Sequence, residues 1–341
     1  MKSIFVCDLQ DGQALTCTFL VRHKEIRSSP RTGKSWLELA LADRSGSINA
    51  KMWDNFEPIL RLFERDDVIQ VRARVKIYNA QKELTIEQII SVRDGEYDLA
   101  DFLAHTRYDV EKLYAELRGA IAGMKNPWLK RLLDSFADDS AIATKLKRAP
   151  AAMTMHHAFV GGLLEHIVGL IGLSRAVAAH YPELDADLLL AGIVLHDIGK
   201  IDELSYGRGI SYTTEGRLLG HISIGARKVS EKIAGIPGFP PELATLVEHL
   251  ILSHHGSLEF GSPSLPQTRE AIALHFLDDM DSKMAAMRSS IESATGDGEW
   301  TDRNPALRRE ILRTDRYLGA ERGTNSGETS AAQKPGEARK R

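Results

Sequence analysis

Two textures divide the chain. In residues 1–95, apolar and polar positions alternate over short stretches, the spacing of strands that bury one face. Ala14 to Arg27 is a long run of this kind with Val, Thr and Phe. The turn-rich segment Ser28-Ser29-Pro30-Arg31-Thr32-Gly33-Lys34 ends it. Trp36 to Leu41 alternates loosely, Asp43 to Ser47 reads as a tight turn, and Ile48 to Trp53 returns. A short helix is predicted over about Asn55 to Phe63, then strands over Val68 to Tyr78 and Leu84 to Val92. From about Tyr97 the apolar spacing lengthens to three and four residues. Val110, Leu113, Tyr114, Leu117 and Ile121 form one such stripe, and Pro127 suits the start of the next helix. Further helices are predicted over Phe159 to His180, Ala186 to His196, His221 to Ile233, Leu243 to Ser253, Arg269 to Ile291 and about Pro305 to Leu318. No strand-like alternation follows residue 100. Gly319 to Arg341 has almost no apolar content and is expected to be disordered.

Five strands with one helix between the third and fourth is the order of an OB-fold, a small closed barrel. The expected organisation is therefore an all-β OB-fold over 1–95, a helical linker over 96–150, an all-α domain over 151–318 and a tail over 319–341. One face of such a barrel commonly binds single strands. Trp36, Trp53, Phe56 and Tyr78 are candidate stacking platforms, and equally candidate core residues. Between residues 22 and 34, Arg22, Lys24, Arg27, Arg31 and Lys34 face a single acid, Glu25. That cluster suits phosphate contacts, or a solvated loop.

Composition sets the remaining bounds. The chain has 341 residues, 43% hydrophobic and 27% charged, with a net charge of −3, as in ordinary globular proteins. Apolar runs such as Leu188 to Leu195 are too short to span a bilayer. The N-terminus reaches Asp8 after few apolar residues, a poor signal peptide. Cys7 and Cys17 offer neither a disulfide framework nor zinc spacing. A reducing cytoplasm, with no membrane partner, is the expectation.

The chemistry lies in the helical half. His166 sits in the apolar phrase Gly161-Gly162-Leu163-Leu164-Glu165-His166-Ile167-Val168. His196-Asp197 ends the apolar run Leu188 to Leu195, where a polar pair costs free energy unless coordinated or hydrogen-bonded. His221, His254-His255, Asp278, Asp279 and Asp281 follow. Gly199 lets the backbone turn, and Lys200 adds a cation that suits an anionic phosphate. A single histidine on an apolar helix is usually a satisfied core residue, the reading given to His180 and His275. Six such groups at helix ends or on apolar faces point instead to a metal centre.

The string His196-Asp197-Ile198-Gly199-Lys200 resembles the signature of the HD superfamily, and the series His166, His196-Asp197, His221, His254 and a late Asp resembles its two-metal members. With an OB-fold ahead of it, the chain over about 1–315 is similar to the YhaM-type 3′→5′ exoribonucleases. Leu252-Ser253-His254-His255-Gly256, Glu259-Phe260-Gly261-Ser262-Pro263 and Leu274 to Lys283 also resemble that family's text. The resemblance implies that His166, His196, Asp197 and Asp278 hold one metal, and that Asp197 bridges to a second held by His221 and His254. It leaves His255 as a further ligand or a substrate-orienting group, and Asp281 as the rival of Asp278. Asp279, about 100° around the helix, is expected either in solvent or behind the ligands as a supporting group. Members with a third metal resemble a pattern with Glu four residues before the first His; here that residue is Gly162. Two divalent ions are implied, Mn²⁺ first, with Mg²⁺, Fe²⁺ and Co²⁺ as alternatives. The implied reaction is hydrolysis at the 3′ end of single-stranded RNA, or single-stranded DNA, to nucleoside 5′-monophosphates, with Lys200 steadying the phosphate and a homo-oligomeric assembly. The signature alone leaves open a phosphohydrolase acting on a small or cyclic nucleotide, a nucleic-acid-binding protein with a non-catalytic HD domain, and, last, a di-iron oxygenase.

Overall fold

Strand β1 (Ala14–Ser28) has 15 residues, enough to pair twice. Its first half, Ala14 to Leu20, pairs antiparallel with β4 (Val68–Tyr78), and its second half with β2 (Ser35–Asp43). An irregularity between Val21 and His23 bends it between the two partners. β3 (Gly46–Met52) pairs with β2, and β5 (Gln81–Ser91) with β4. The parallel contact of β3 with β5 at Asn49 to Lys51 closes the barrel in the order β1-β2-β3-β5-β4. Closure leaves no sheet edge to aggregate. Alternation sends Phe19, Leu37, Leu39, Ile69, Val75 and Leu84 inward, each fully buried. The computed structural model that shows this describes residues 2, 4–29, 32–78, 81–93, 95–98, 101–103, 105–153, 159–206, 210–294 and 296–319.

Between β3 and β4 the chain differs from expectation. The predicted helix over about 55–63 is one 3₁₀ turn, Glu57–Ile59. Asn55 takes a positive φ of 58°, outside helical backbone, so no helix runs from that residue. Its flanking aromatics, Phe56 and Phe63, fill the barrel core instead. Phe56 thus belongs to the core side of its two readings. Leu20 and Val68 pack with Phe102 and Leu103, beyond the last strand.

The stretch expected as a linker is largely structural. α1 (Val110–Ala122), α2 (Pro127–Ala137) and α3 (Ser140–Leu146) begin at Asp109, Asn126 and Asp139, whose side chains accept from the next free backbone amides. Their apolar faces share one core with α4 (Gly162–His180), α5 (Ala186–Leu195), α8 (Pro241–Ser253) and the start of α9 (Arg269–Ser293). α5 is buried nearly all round, as its unbroken apolar run requires. α4 is long and apolar enough by composition to cross a membrane. Its Leu163, Leu164, Ile167 and Leu170 are fully buried against the other helices, the pattern of a core helix.

Short α6 (Lys200–Glu203) follows α5 and leads into two-residue strands, β6 (Leu204–Ser205) and β7 (Ser211–Tyr212), which pair despite the absence of any legible alternation. α7 (Thr214–Ala234) starts seven residues before the predicted His221 and breaks at Gly220, whose φ is 69°. The break explains why only the part from His221 onwards reads as one regular stripe.

A second unit begins at Ala286. The helix expected over about 305–318 is only α10 (Thr314–Tyr317). Asn304 accepts from the amides of Ala306 and Leu307 as a helix cap would, but Arg308 takes a positive φ of 53° and turns the chain back. Bridges then form between Trp300 and Leu312 and between Asn304 and Arg309. Residues 320–341, expected to be disordered, lie outside the described residues.

Candidate metal centre

Five elements deliver the polar groups. α4 carries His166, the C-cap of α5 is His196, and Asp197 lies in the turn that follows. Gly199 makes that turn possible: a Cβ there would lie 2.0 Å from the carbonyl oxygen of His221. The break at Gly220 starts a fresh helical segment on His221. His254 caps α8, His255 follows, and Gly256 turns the chain with a φ of 77°. α9 contributes Asp278 and, one turn later, Asp281.

These groups converge in two clusters. Ligand atoms of His166, His196 and Asp197 lie within 4.8 Å of one another, and so do those of His221, His254 and His255. Asp197 stands between the clusters. Its Oδ2 is 3.4 Å from His196 Nε2, while its Oδ1 is 3.4 Å from His221 Nε2 and 3.8 Å from His254 Nε2. Asp278 Oδ1 is 3.2 Å from His166 Nε2 and 3.9 Å from His196 Nε2, so it faces the first cluster. Asp281 lies on the other side of the His166 ring, 2.7 Å from Nδ1. Asp279 pairs with Lys283 at 2.7 Å on the exposed side of α9.

The hydrogen bonds behind the rings fix which nitrogens face the centre. His196 Nδ1 donates to the carbonyl of Ile193 at 2.9 Å, and His254 Nδ1 to that of Ile251 at 2.7 Å. A carbonyl only accepts, so both protons sit on Nδ1 and both Nε2 lone pairs point inward. The Nε2 atoms of His196, His221 and His254 and Oδ1 of Asp197 are buried without a hydrogen-bond partner. Four convergent buried acceptors without a donor are costly in a bare protein. Divalent cations in the two clusters would satisfy them, and the donor set of imidazole nitrogen and carboxylate oxygen fits a borderline divalent metal.

Electrostatics support the same arrangement. Burial disfavours charge on Asp197, but Lys200, with Nζ 2.6 Å away, and then His196 and His221 hold its carboxyl well below the usual range. Burial likewise opposes the charge on Lys200, and Asp197 outweighs it, so the lysine stays cationic. Asp278 is also held far below the usual carboxylate range, against burial, chiefly by His166 and His196. His254 is pushed well below its ordinary value, first by burial and then by His196, which keeps it neutral, as a candidate ligand must be.

Two groups here were not legible as functional in the sequence. Glu203, 7% exposed, accepts from the backbone amide of His221 at 3.0 Å and from its Nδ1 at 3.2 Å. Burial opposes its ionisation, but the His221 contacts hold its carboxyl below the ordinary value. His275 donates from Nδ1 to the His254 carbonyl at 2.9 Å, and a Cβ on Gly256 would fall 2.2 Å from its ring. The core reading of His275 is therefore incomplete, since it braces the turn that carries two candidate ligands. The one available signal was position: Glu203 closely follows the HD string and His275 lies three residues before Asp278.

The barrel candidates separate into two groups. Trp36 and Trp53 stack at 5.2 Å with a 37° tilt, and Tyr78 is 63% exposed with Lys51 Nζ 5.5 Å from its ring centre. Arg22 lies 3.7 Å from Asp66, Arg27 contacts Glu25 and Glu38, and Lys34 pairs with Asp54 at 2.9 Å. Lys24 departs from expectation. Its ammonium donates to the carbonyls of Leu60 and Phe63, both at 2.6 Å, and pairs with Glu64, so it ties the 3₁₀ turn to β1 instead of facing a ligand. Arg31 lies outside the described residues.

Barrel and centre together define a class, an OB-fold joined to a helical HD-type metal-site domain. Residues 20–92 match the OB-fold nucleic acid binding domain family, and residues 163–283 match the HD domain family. The chain is 36% identical over 297 residues to the 3′-5′ exoribonuclease YhaM of Bacillus velezensis, covering 87% of this chain and 93% of that protein. The chain belongs to the YhaM-type 3′-5′ exoribonuclease family. Among solved structures, the second OB-fold domain of replication protein A from Methanococcus maripaludis is 19% identical with a TM-score of 0.22, spanning 28% of this chain and 98% of that one. An OB domain from Thermoplasma acidophilum is 19% identical with a TM-score of 0.23, spanning 28% and 91%.

Proposed function

We propose that this chain is a metal-dependent 3′→5′ exonuclease that releases nucleoside 5′-monophosphates from single-stranded RNA. The observation that carries this reading is the convergence of three buried, unsatisfied imidazole nitrogens on Asp197, whose own Oδ1 is likewise unsatisfied, in a chain that also has an OB-fold. His166, His196, Asp197 and Asp278 would hold one ion, and Asp197, His221 and His254, with His255, would hold the other. Asp278 takes the terminal place because Asp281 is already spent on the rear nitrogen of His166. Two divalent ions there, Mn²⁺ in this reading, would supply an activated water and charge neutralisation at the phosphate. The chain's own residues do the rest. Ile193 and Ile251 lock the tautomers of His196 and His254. Lys200, kept cationic by Asp197, sets a positive charge beside the phosphate. Trp36, Trp53 and Tyr78 stack upstream bases, while Arg22, Arg27 and Lys34 exchange their carboxylate partners for phosphates.

The test is a time course with 5′-labelled single-stranded RNA and Mn²⁺, using the wild-type chain and Asp197→Ala. A ladder shrinking from the 3′ end, absent in the variant, is expected. Intact RNA in both lanes, with turnover of a small or cyclic nucleotide, would replace this reading. A matched single-stranded DNA arm measures sugar preference.

A further inference from the structure

Glu203 has no place in either ligand set, yet it is more deeply buried than most carboxylates and touches one partner twice. Breaking α7 at Gly220 leaves the amide of His221 without its intrahelical acceptor. Oε1 of Glu203 accepts that amide at 3.0 Å and the Nδ1–H of the same residue at 3.2 Å. One oxygen thus fixes both the peptide and the ring of His221. With Nδ1 as the donor, the Nε2 lone pair faces inward, 3.4 Å from Asp197 Oδ1.

Glu203 is itself firmly held. Its carbonyl accepts from the Thr213 amide at 2.9 Å, and a Cβ on Gly216 would lie 2.2 Å from that same oxygen. The start of α7 is therefore pressed onto the Glu203 backbone, which fixes the base from which its carboxylate reaches His221. On the other cluster, Asp281 stands behind His166 in the same way, 2.7 Å from its Nδ1. His196 and His254 have only backbone carbonyls behind them. Each cluster therefore contains an imidazole backed by a carboxylate.

We propose that Glu203 is the positioning residue of the second metal half: it fixes the tautomer and orientation of His221, and its removal weakens one metal step and spares the other. This rests on the two-metal reading above. A carboxylate behind a ligating imidazole raises its basicity, and losing one typically costs about 10–100-fold in metal affinity.

The experiment is calorimetric Mn²⁺ titration of the full-length, chelator-stripped protein as wild type, Glu203→Gln and Glu203→Ala, with circular dichroism on each. Wild type is expected to take up two ions. Both variants should keep one step unchanged and weaken the other by about 10–100-fold, Ala more than Gln. Saturating Mn²⁺ should restore more RNA hydrolysis to Gln than to Ala. Two unchanged steps in folded variants, or equal weakening of both, overturn the proposal. If Ala fails to fold, Gln decides alone, and an unchanged weaker step overturns it. Uptake of two ions by a wild type that leaves RNA intact removes the reaction and leaves the role of Glu203 standing. A wild type that takes up no Mn²⁺ removes both.

Discussion

The two carboxylates on α9 are chemically identical and one helical turn apart, yet the structure gives them different work. Asp278 faces the inward nitrogen of His166, and Asp281 faces the outward one. Asp278→Asn should therefore abolish hydrolysis, because a ligand loses its charge. Asp281→Asn should still hydrolyse RNA but need about 10–100-fold more Mn²⁺ for half-maximal rate. Metal-dependence curves of the two variants check this, and the reverse order would exchange the two assignments. Spacing alone could not separate these residues, because both lie on one helix face three residues apart.

At the scale of elements, most of what holds the centre is glycine geometry. Gly199 lies against the His221 carbonyl with no room for a Cβ. Gly199→Ala must push the HD turn away from α7, an overpacking that typically costs about 1–3 kcal/mol. It should lower the melting temperature and separate Asp197 from His221, so activity should fall further than stability alone explains. Melting curves and rates at a temperature where the variant remains folded distinguish the two effects. The same elements show what could be read in advance. The five strands, α5 and the HD turn were legible, because alternation, an unbroken apolar run and a string of five residues are local signals. Glu203 was not, since its contact with His221 spans 18 residues and depends on a break at Gly220. The helices expected near 55–63 and 305–318 fail for another local reason: Asn55 and Arg308 take positive φ values of 58° and 53°, outside helical backbone. The stretch 110–146 read as a linker because its stripes show amphipathic helices but not which core receives them.

At the scale of the whole molecule, binding and hydrolysis reside in different halves of the sequence and should respond to different perturbations. Chelation with EDTA should stop hydrolysis while RNA binding survives, because the barrel's aromatic and basic groups are far in sequence from every candidate ligand. Filter binding and gel assays on the same chelated sample check this. The complementary prediction concerns the stacked pair Trp36 and Trp53. Base–aromatic stacking contributes roughly 1–3 kcal/mol per base, which is about 5–150-fold in affinity. If the barrel grips upstream nucleotides, that energy is present in both ground and transition states and raises affinity without accelerating chemistry. Trp53→Ala should then raise KM for a long single strand by about 5–150-fold at nearly constant kcat. The same variant should cut a dinucleotide at the wild-type rate, since two nucleotides at the metal centre leave none for the barrel. A variant that slows dinucleotide and long-strand hydrolysis equally would show that Trp53 serves the stability of the fold. A variant that slows neither would move the upstream grip to the helical half of the chain.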